Sequence, residues 1–235
     1  MIDRQALESW IQPQHLENGA IARYQRDFAA HPARMLVLDE FLVDDVAEKL
    51  NRFLAEEADY YTEHGIYSIE GAVSEAQWLE APENDRFFRL GKLSNIRPEF
   101  LLSQNSLTYL QFRQAFQGAA LKSFFEAVTG LQLSESDDFG SHSMRAGDFL
   151  KPHSDDNRDR QAAIVIYLSK DWQSRLGGTL RMIDPTGRES DVDPSFNSMV
   201  VFDVLADTTH YVTQVDGAAG ERARLTIGGW YHRPD

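Results

Sequence analysis

Two kinds of hydrophobic pattern divide the chain. In the first half, apolar residues recur every three or four positions, the period that gathers them on one helical face. "VDDVAEKLNRFLAEEA" sets Val46, Leu50, Phe53 and Leu54 on such a face, with Asp44 as the expected N-cap. "LKSFFEAVTG" does the same with Leu121, Phe124, Phe125 and Val128, and stops at Gly130 as helices often do. Before the first of these helices, "RMLVLDEFL" from Arg34 reads as a short strand. In the second half the apolar runs shorten and fill with branched and aromatic residues: Ala162–Leu168, Gly178–Ile183, Ser198–Val204, His210–Val215 and Arg224–His232. Gly, Pro, Asp and Asn separate them. Helices followed by closely spaced strands predict an α+β fold, with helices packed on an antiparallel sandwich or barrel.

Composition narrows the chemistry. At 235 residues the chain fits one domain with a sizeable core, and no repeat or low-complexity segment divides it. A formal charge of −14 argues against phosphate-backbone partners, which need a basic face. The absence of cysteine excludes disulfides, thiolate metal sites and a thiol nucleophile, so any metal must be held by nitrogen and oxygen. "MIDRQALESW" lacks the basic and apolar regions of a secretory signal, and no apolar run is long enough to span a bilayer. A cytoplasmic protein without membrane or nucleic-acid partners is therefore expected.

The stretch "KPHSDDNRDRQAAIVIYLSKDW" places His153 and Asp155 two residues apart, directly before an apolar strand. On an extended backbone residues i and i+2 share a side, so both reach one ion. Two histidines and one carboxylate, with other positions open, form the ligand set of non-heme Fe(II) oxygenases. Of the remaining histidines, His210 is the best-placed third ligand because it opens a strand in the same half; His142 falls in an expected turn and His232 is nearly terminal. Arg224 opens the final strand, where a buried guanidinium grips a carboxylate by two parallel bonds. Taken singly, His-x-Asp is a common turn dipeptide and a buried arginine is more often a structural ion pair.

Taken in order, "IYLSKDW", "GGTLRM", "PSFNSMVVF" and "RLTIGGWYH" make the segment from about Ser141 to Asp235 resemble the 2-oxoglutarate- and Fe(II)-dependent oxygenases of the prolyl 4-hydroxylase group. The hypoxia-sensing prolyl hydroxylases are similar, and with "FFEAVTGLQL" the ribosomal-protein prolyl hydroxylases more so. The resemblance implies a double-stranded β-helix, or jelly-roll, core over about 141–235, with a helix-rich part over about 1–135 packed on one sheet, in a single oxygenase domain spanning 1–235. It implies that His153, Asp155 and His210 bind Fe(II) and that Arg224 pairs with the distal carboxylate of 2-oxoglutarate. Tyr167 would hydrogen-bond that co-substrate, Leu180 would line its pocket and Trp230 would pack nearby. O2 would be consumed, with ascorbate as accessory reductant.

The chain departs from the family where many members carry a tyrosine upstream of the first ligand. Here "SHSMRAGDF" offers His142, Ser143 or Arg145 instead. The interval from His210 to Arg224 is slightly long, which leaves Arg222 as a second candidate for the carboxylate clamp. The expected reaction is hydroxylation of an unactivated C–H bond, on a prolyl or other residue of a protein or peptide, as 2-oxoglutarate is decarboxylated to succinate. The alternatives are a hydroxylase of free or carrier-bound amino acids and a non-catalytic jelly-roll binding module. A nucleic-acid demethylase ranks last on charge. Loops over the pocket are expected from Asp155–Gln161 and from the weakly periodic stretch 60–98.

Overall fold

The apolar run expected at Ala162–Leu168 is a strand from Arg160 to Tyr167 in the computed structural model, which describes residues 2–135, 137–156 and 159–234. Among the described residues there are twelve strands: β1 (Met35–Leu38), β2 (Ala58–Ile66), β3 (Ile69–Val73), β4 (Arg86–Ile96), β5 (Phe139–Met144), β6 (Phe149–His153), β7 (Arg160–Tyr167), β8 (Leu180–Ile183), β9 (Glu189–Val192), β10 (Ser198–Asp203), β11 (Thr209–Val212) and β12 (Arg224–His232). The helices are α1 (Arg4–Leu7), α2 (Asn18–Ala30), α3 (Asp44–Arg52), α4 (Glu75–Glu80), α5 (Gln104–Gln117) and α6 (Ala119–Thr129).

All strand pairings are antiparallel, in the order β1-β10-β7-β12-β5-β4-β6-β11-β8-β9, with the β2–β3 hairpin branching from β4. Strand β4 pairs β5 through Gly91 and Lys92 and β6 through Phe88 and Arg89, so it carries the sheet round from one wall to the other. The result is a near-closed antiparallel barrel, the jelly-roll core expected from the sequence.

Alternation along the central strands creates two cores. On β7, Ala162, Ile164 and Ile166 point to one side and Ala163, Val165 and Tyr167 to the other. On β10, Met199 and Val201 join the first set and Val200 and Phe202 the second. The first set meets the helices, where Phe112, Phe116, Phe124, Phe125 and Val128 are buried. The second faces Leu180, Met182 and Val212 of the opposite wall and forms the barrel interior. Strand β12 serves both: the Tyr231 ring stacks on Phe116 at 5.1 Å in the helical layer, while Trp230 turns inward.

The helix ending at Gly130 is as expected, with that glycine at φ +74°. Helix α3 begins differently. Its N-cap is Val43, and Asp44 is the first helical residue, accepting a bond from Gln12 Nε2 at 2.9 Å. The larger difference lies within 1–135, which holds β2 to β4 in addition to the expected strand β1 and the helices. The stretch 60–98 forms a hairpin, a short helix and a long strand where loops were expected. Of the Asp155–Gln161 loop, Asn157 and Arg158 lie outside the described residues.

Candidate active site

Cross-strand pairing assembles the centre. His153 ends β6 and His210 lies directly opposite it on β11. Their ring centroids are 4.2 Å apart. Asp155 follows two residues after His153, buried, with Oδ1 3.5 Å from His153 Nε2 and Oδ2 3.4 Å from His210 Nε2. One donor atom from each residue falls within 4.8 Å of the other two. The pair expected from the His-x-Asp spacing and the histidine expected from placement thus converge on one point.

The local chemistry suits a cation there. His153 Nδ1 lies 2.9 Å from the Lys151 carbonyl. A carbonyl only accepts, so Nδ1 donates, and the lone pair of neutral His153 sits on Nε2, facing the carboxylate. Burial lowers the pKa of His210 despite the opposing pull of Asp155, which keeps its imidazole neutral at physiological pH. Burial by itself would raise the Asp155 carboxyl; the neighbouring His153 and His210 side chains outweigh it and hold the group well below the usual carboxylate range. Two imidazole nitrogens and one carboxylate face each other without cysteine. That is the donor set that fits a ferrous ion with open positions.

A cavity of about 540 Å³ contains these residues. It is lined from both walls of the barrel: Leu150, Leu180 and Val212 on one side, Ala163, Val165 and Phe202 on the other. The β2–β3 hairpin covers it. Tyr67, in the hairpin turn, stacks on Phe87 at 4.7 Å and donates to the Pro152 carbonyl at 2.8 Å, and Phe87 meets the His153 ring edge-on at 5.3 Å.

Arg224 is only 4% exposed, and among the described residues no carboxylate pairs with it. Its Nε donates to the Gly178 carbonyl at 2.6 Å, and the guanidinium lies 5.1 Å from the centroid of the Tyr167 ring. Burial lowers its pKa, yet guanidinium stays charged at neutral pH. The Tyr167 hydroxyl is also buried and has no hydrogen-bond partner. Burial raises its pKa against the pull of Arg224, so it keeps its proton and remains a donor. An unpaired cation and an unsatisfied hydroxyl side by side are the complement of a carboxylate. Gly178 permits this arrangement: its φ is +71°, and a Cβ there would stand 2.7 Å from Arg224 Cδ.

The other candidates separate clearly. Arg222 is exposed and donates to the Ala218 and Ala219 carbonyls of its own turn. Arg145 is exposed and donates to the Glu221 carbonyl. Ser143 is buried on β5, whereas His142 lines the cavity. Burial, with Lys92 and Arg224 nearby, pulls His142 down to about 4. Trp230 does more than pack: its Nε1 donates to Asp155 Oδ2 at 3.0 Å. Arg160, which drew no attention in the sequence, lies with its guanidinium 3.6 Å from the Trp230 centroid.

Residues 139–232 match the family model described as the 2OG-Fe(II) oxygenase superfamily. Prolyl 3-hydroxylase OGFOD1 of Mus musculus is 28% identical over 176 residues, covering 71% of this chain and 30% of the mouse protein. The chain thus spans less than a third of the length of that curated relative. A Pseudomonas putida prolyl-4-hydroxylase structure superposes with a TM-score of 0.59 at 25% identity, over 91% of this chain and 99% of that one. The Trichoplax adhaerens prolyl hydroxylase, solved with a peptide fragment of the hypoxia inducible factor oxygen degradation domain, shares the fold with a TM-score of 0.60 at 12% identity, over 92% and 93% of the two chains. No described helix is long and apolar enough to cross a membrane. Over residues 139–232 the chain is similar to the 2OG-Fe(II) oxygenase superfamily, and prolyl hydroxylases are among the proteins it resembles in sequence and in structure.

Proposed function

We propose that the chain is a 2-oxoglutarate-dependent Fe(II) dioxygenase that hydroxylates a prolyl residue of a protein or peptide. The observation that carries this reading is a single cavity lined by both the His-Asp-His centre and the buried Arg224, with the unsatisfied Tyr167 hydroxyl packed behind that guanidinium. His153, Asp155 and His210 would hold Fe(II). The bound iron supplies the activation of dioxygen that splits 2-oxoglutarate to succinate and CO2 and leaves one oxygen atom for the substrate C–H bond.

In this reading, Arg224, whose guanidinium donates among the described residues only to the Gly178 carbonyl and the Met144 sulfur, grips the distal carboxylate of 2-oxoglutarate, and Tyr167 donates its hydroxyl to the same group. Leu180, Val165 and Phe202 wall the site with apolar surface and exclude water. Tyr67 and Phe87 stand beside His153, where a substrate residue arrives. The peptide bound to the Trichoplax relative supports a polypeptide substrate, and the names of the mouse and Pseudomonas relatives support proline as its target. A single domain over 1–235 is part of the same proposal.

Succinate formation from 2-oxoglutarate, with Fe(II) and a library of proline-containing peptides, tests this directly. The wild type should form succinate, and hydroxylated peptides should gain one oxygen atom by mass spectrometry. His153→Ala should abolish both. Equal succinate from wild type and variant, or failure of the wild type to bind 2-oxoglutarate in the presence of metal, would overturn the assignment.

A further inference from the structure

One acidic ligand and two histidines do not by themselves fix how the acid is presented. Asp155 leaves β6 and enters a loop, so no strand pairing holds its side chain in place. Its two oxygens nevertheless have different surroundings. Oδ2 accepts a hydrogen bond from Trp230 Nε1 at 3.0 Å. Oδ1 has Arg160 Nη1 at 3.8 Å, too far for a hydrogen bond.

The indole is itself held. The Arg160 guanidinium lies over it at 3.6 Å from the ring centroid, well within the range of a cation–π contact. On its other side Arg160 Nε is 3.4 Å from Asp138 Oδ2, and His232 Nε2 is 3.2 Å from that same oxygen. Strands β7 and β12 provide the register: Trp230 pairs with Ala163, and His232 pairs with Arg160. The chain of contacts therefore runs from His232 through Asp138, Arg160 and Trp230 to Asp155.

We propose that Trp230, pinned by Arg160, is a positioning residue that selects the oxygen of Asp155 offered to the metal. The indole N–H occupies Oδ2 and leaves Oδ1 to coordinate, so the carboxylate binds through one oxygen and keeps one orientation before metal arrives. The inference rests on the metal reading above and assigns no direct contact with substrate to either residue. Loss of an outer partner of a metal ligand generally weakens metal binding by about 10–100-fold.

Co(II), which needs no turnover to be observed, is the probe. Titrating it into the full-length apoprotein by calorimetry gives the affinity, and the visible d–d bands report the ligand arrangement. Trp230→Phe keeps the ring and its stacking with Arg160 but removes the N–H. It should weaken Co(II) binding about tenfold or more and shift the bands, with the melting temperature of the apoprotein close to wild type. Arg160→Met removes both the support of the indole and the 3.8 Å charge contact with Oδ1; it should show a smaller loss, and the double variant should fall short of the sum of the two single losses.

Trp230→Phe with wild-type affinity and an unchanged spectrum would overturn the proposal, leaving the indole as packing. Full additivity of the two substitutions would show that Arg160 acts only through its own charge contact with Asp155, and would overturn its part in pinning the indole. A wild-type protein that takes up no Co(II) would instead overturn the metal reading, and the positioning role with it.

Discussion

Arg224 shows what a single residue reveals when its partners are counted. A buried cation without a counter-ion is costly, by several kcal/mol in order of magnitude. Such a charge persists where a ligand completes it. Arg224→Met should therefore make the ligand-free protein more stable to urea by about 1–2 kcal/mol, the relief of the buried charge less the cost of leaving the Gly178 carbonyl unbonded. In the same variant 2-oxoglutarate should no longer raise the melting temperature, as a ligand does only when it binds the native state. A less stable variant would mean that the protein already satisfies the guanidinium from within. The expectation of Arg224 over Arg222 rested on the neighbouring "RLTIGGW" register, and the burial of one and exposure of the other agree with it.

The β2–β3 hairpin raises the corresponding question for an element. Strand β3 is exposed along almost its whole length and pairs only with β2, so little apolar burial holds it. The bond from the Tyr67 hydroxyl to the Pro152 carbonyl ties the hairpin to the strand that carries His153. Tyr67→Phe should remove about 1 kcal/mol from that closure and speed hydrogen exchange at the backbone amides of Ile66 and Ile69 about fivefold. Unchanged exchange would show that the Tyr67–Phe87 stack alone holds the hairpin. The same element explains what the sequence concealed. Strands β10 and β12 were legible because most of their positions are buried and each carries a short apolar run with branched and aromatic residues, which hydrophobicity marks plainly. Strands β2 to β4 mix polar and half-buried positions, and β6 contains Lys151 and Pro152, so no period survives in them. The grouping of His153, Asp155 and His210 was legible from residue type and spacing taken together with the family resemblance. The Trp230–Asp155 bond was not, since it joins residues 75 positions apart and leaves no periodic trace.

At the scale of the whole molecule, histidines set the response to acid. Burial lowers His15, His31, His64, His142 and His210 in the folded state, His142 to about 4. Between those folded values and the unfolded value near 6.5, the unfolded chain binds more protons than the native one. Stability is therefore full above about pH 6.5 and falls as pH drops toward 4, with His142 alone accounting for a loss on the order of 3 kcal/mol. Protonation also relieves the net charge of −14, but that repulsion is spread over the surface and screened by salt. Urea midpoints should thus fall between pH 7 and pH 5, and His142→Gln should flatten part of the decline. A midpoint that holds steady or rises would show that relief of net charge dominates. The burial of Arg224 carries a last consequence, one of traffic. The cavity runs along β12 from buried Arg224 to half-exposed Trp230, and in the proposed reaction both reactants share that length. The molecule seated at the inner end must come first and leave last. Co-substrate would have to load before the polypeptide docks, and spent succinate would wait behind the hydroxylated product, so the rate of each cycle would be set by how quickly the polypeptide lets go.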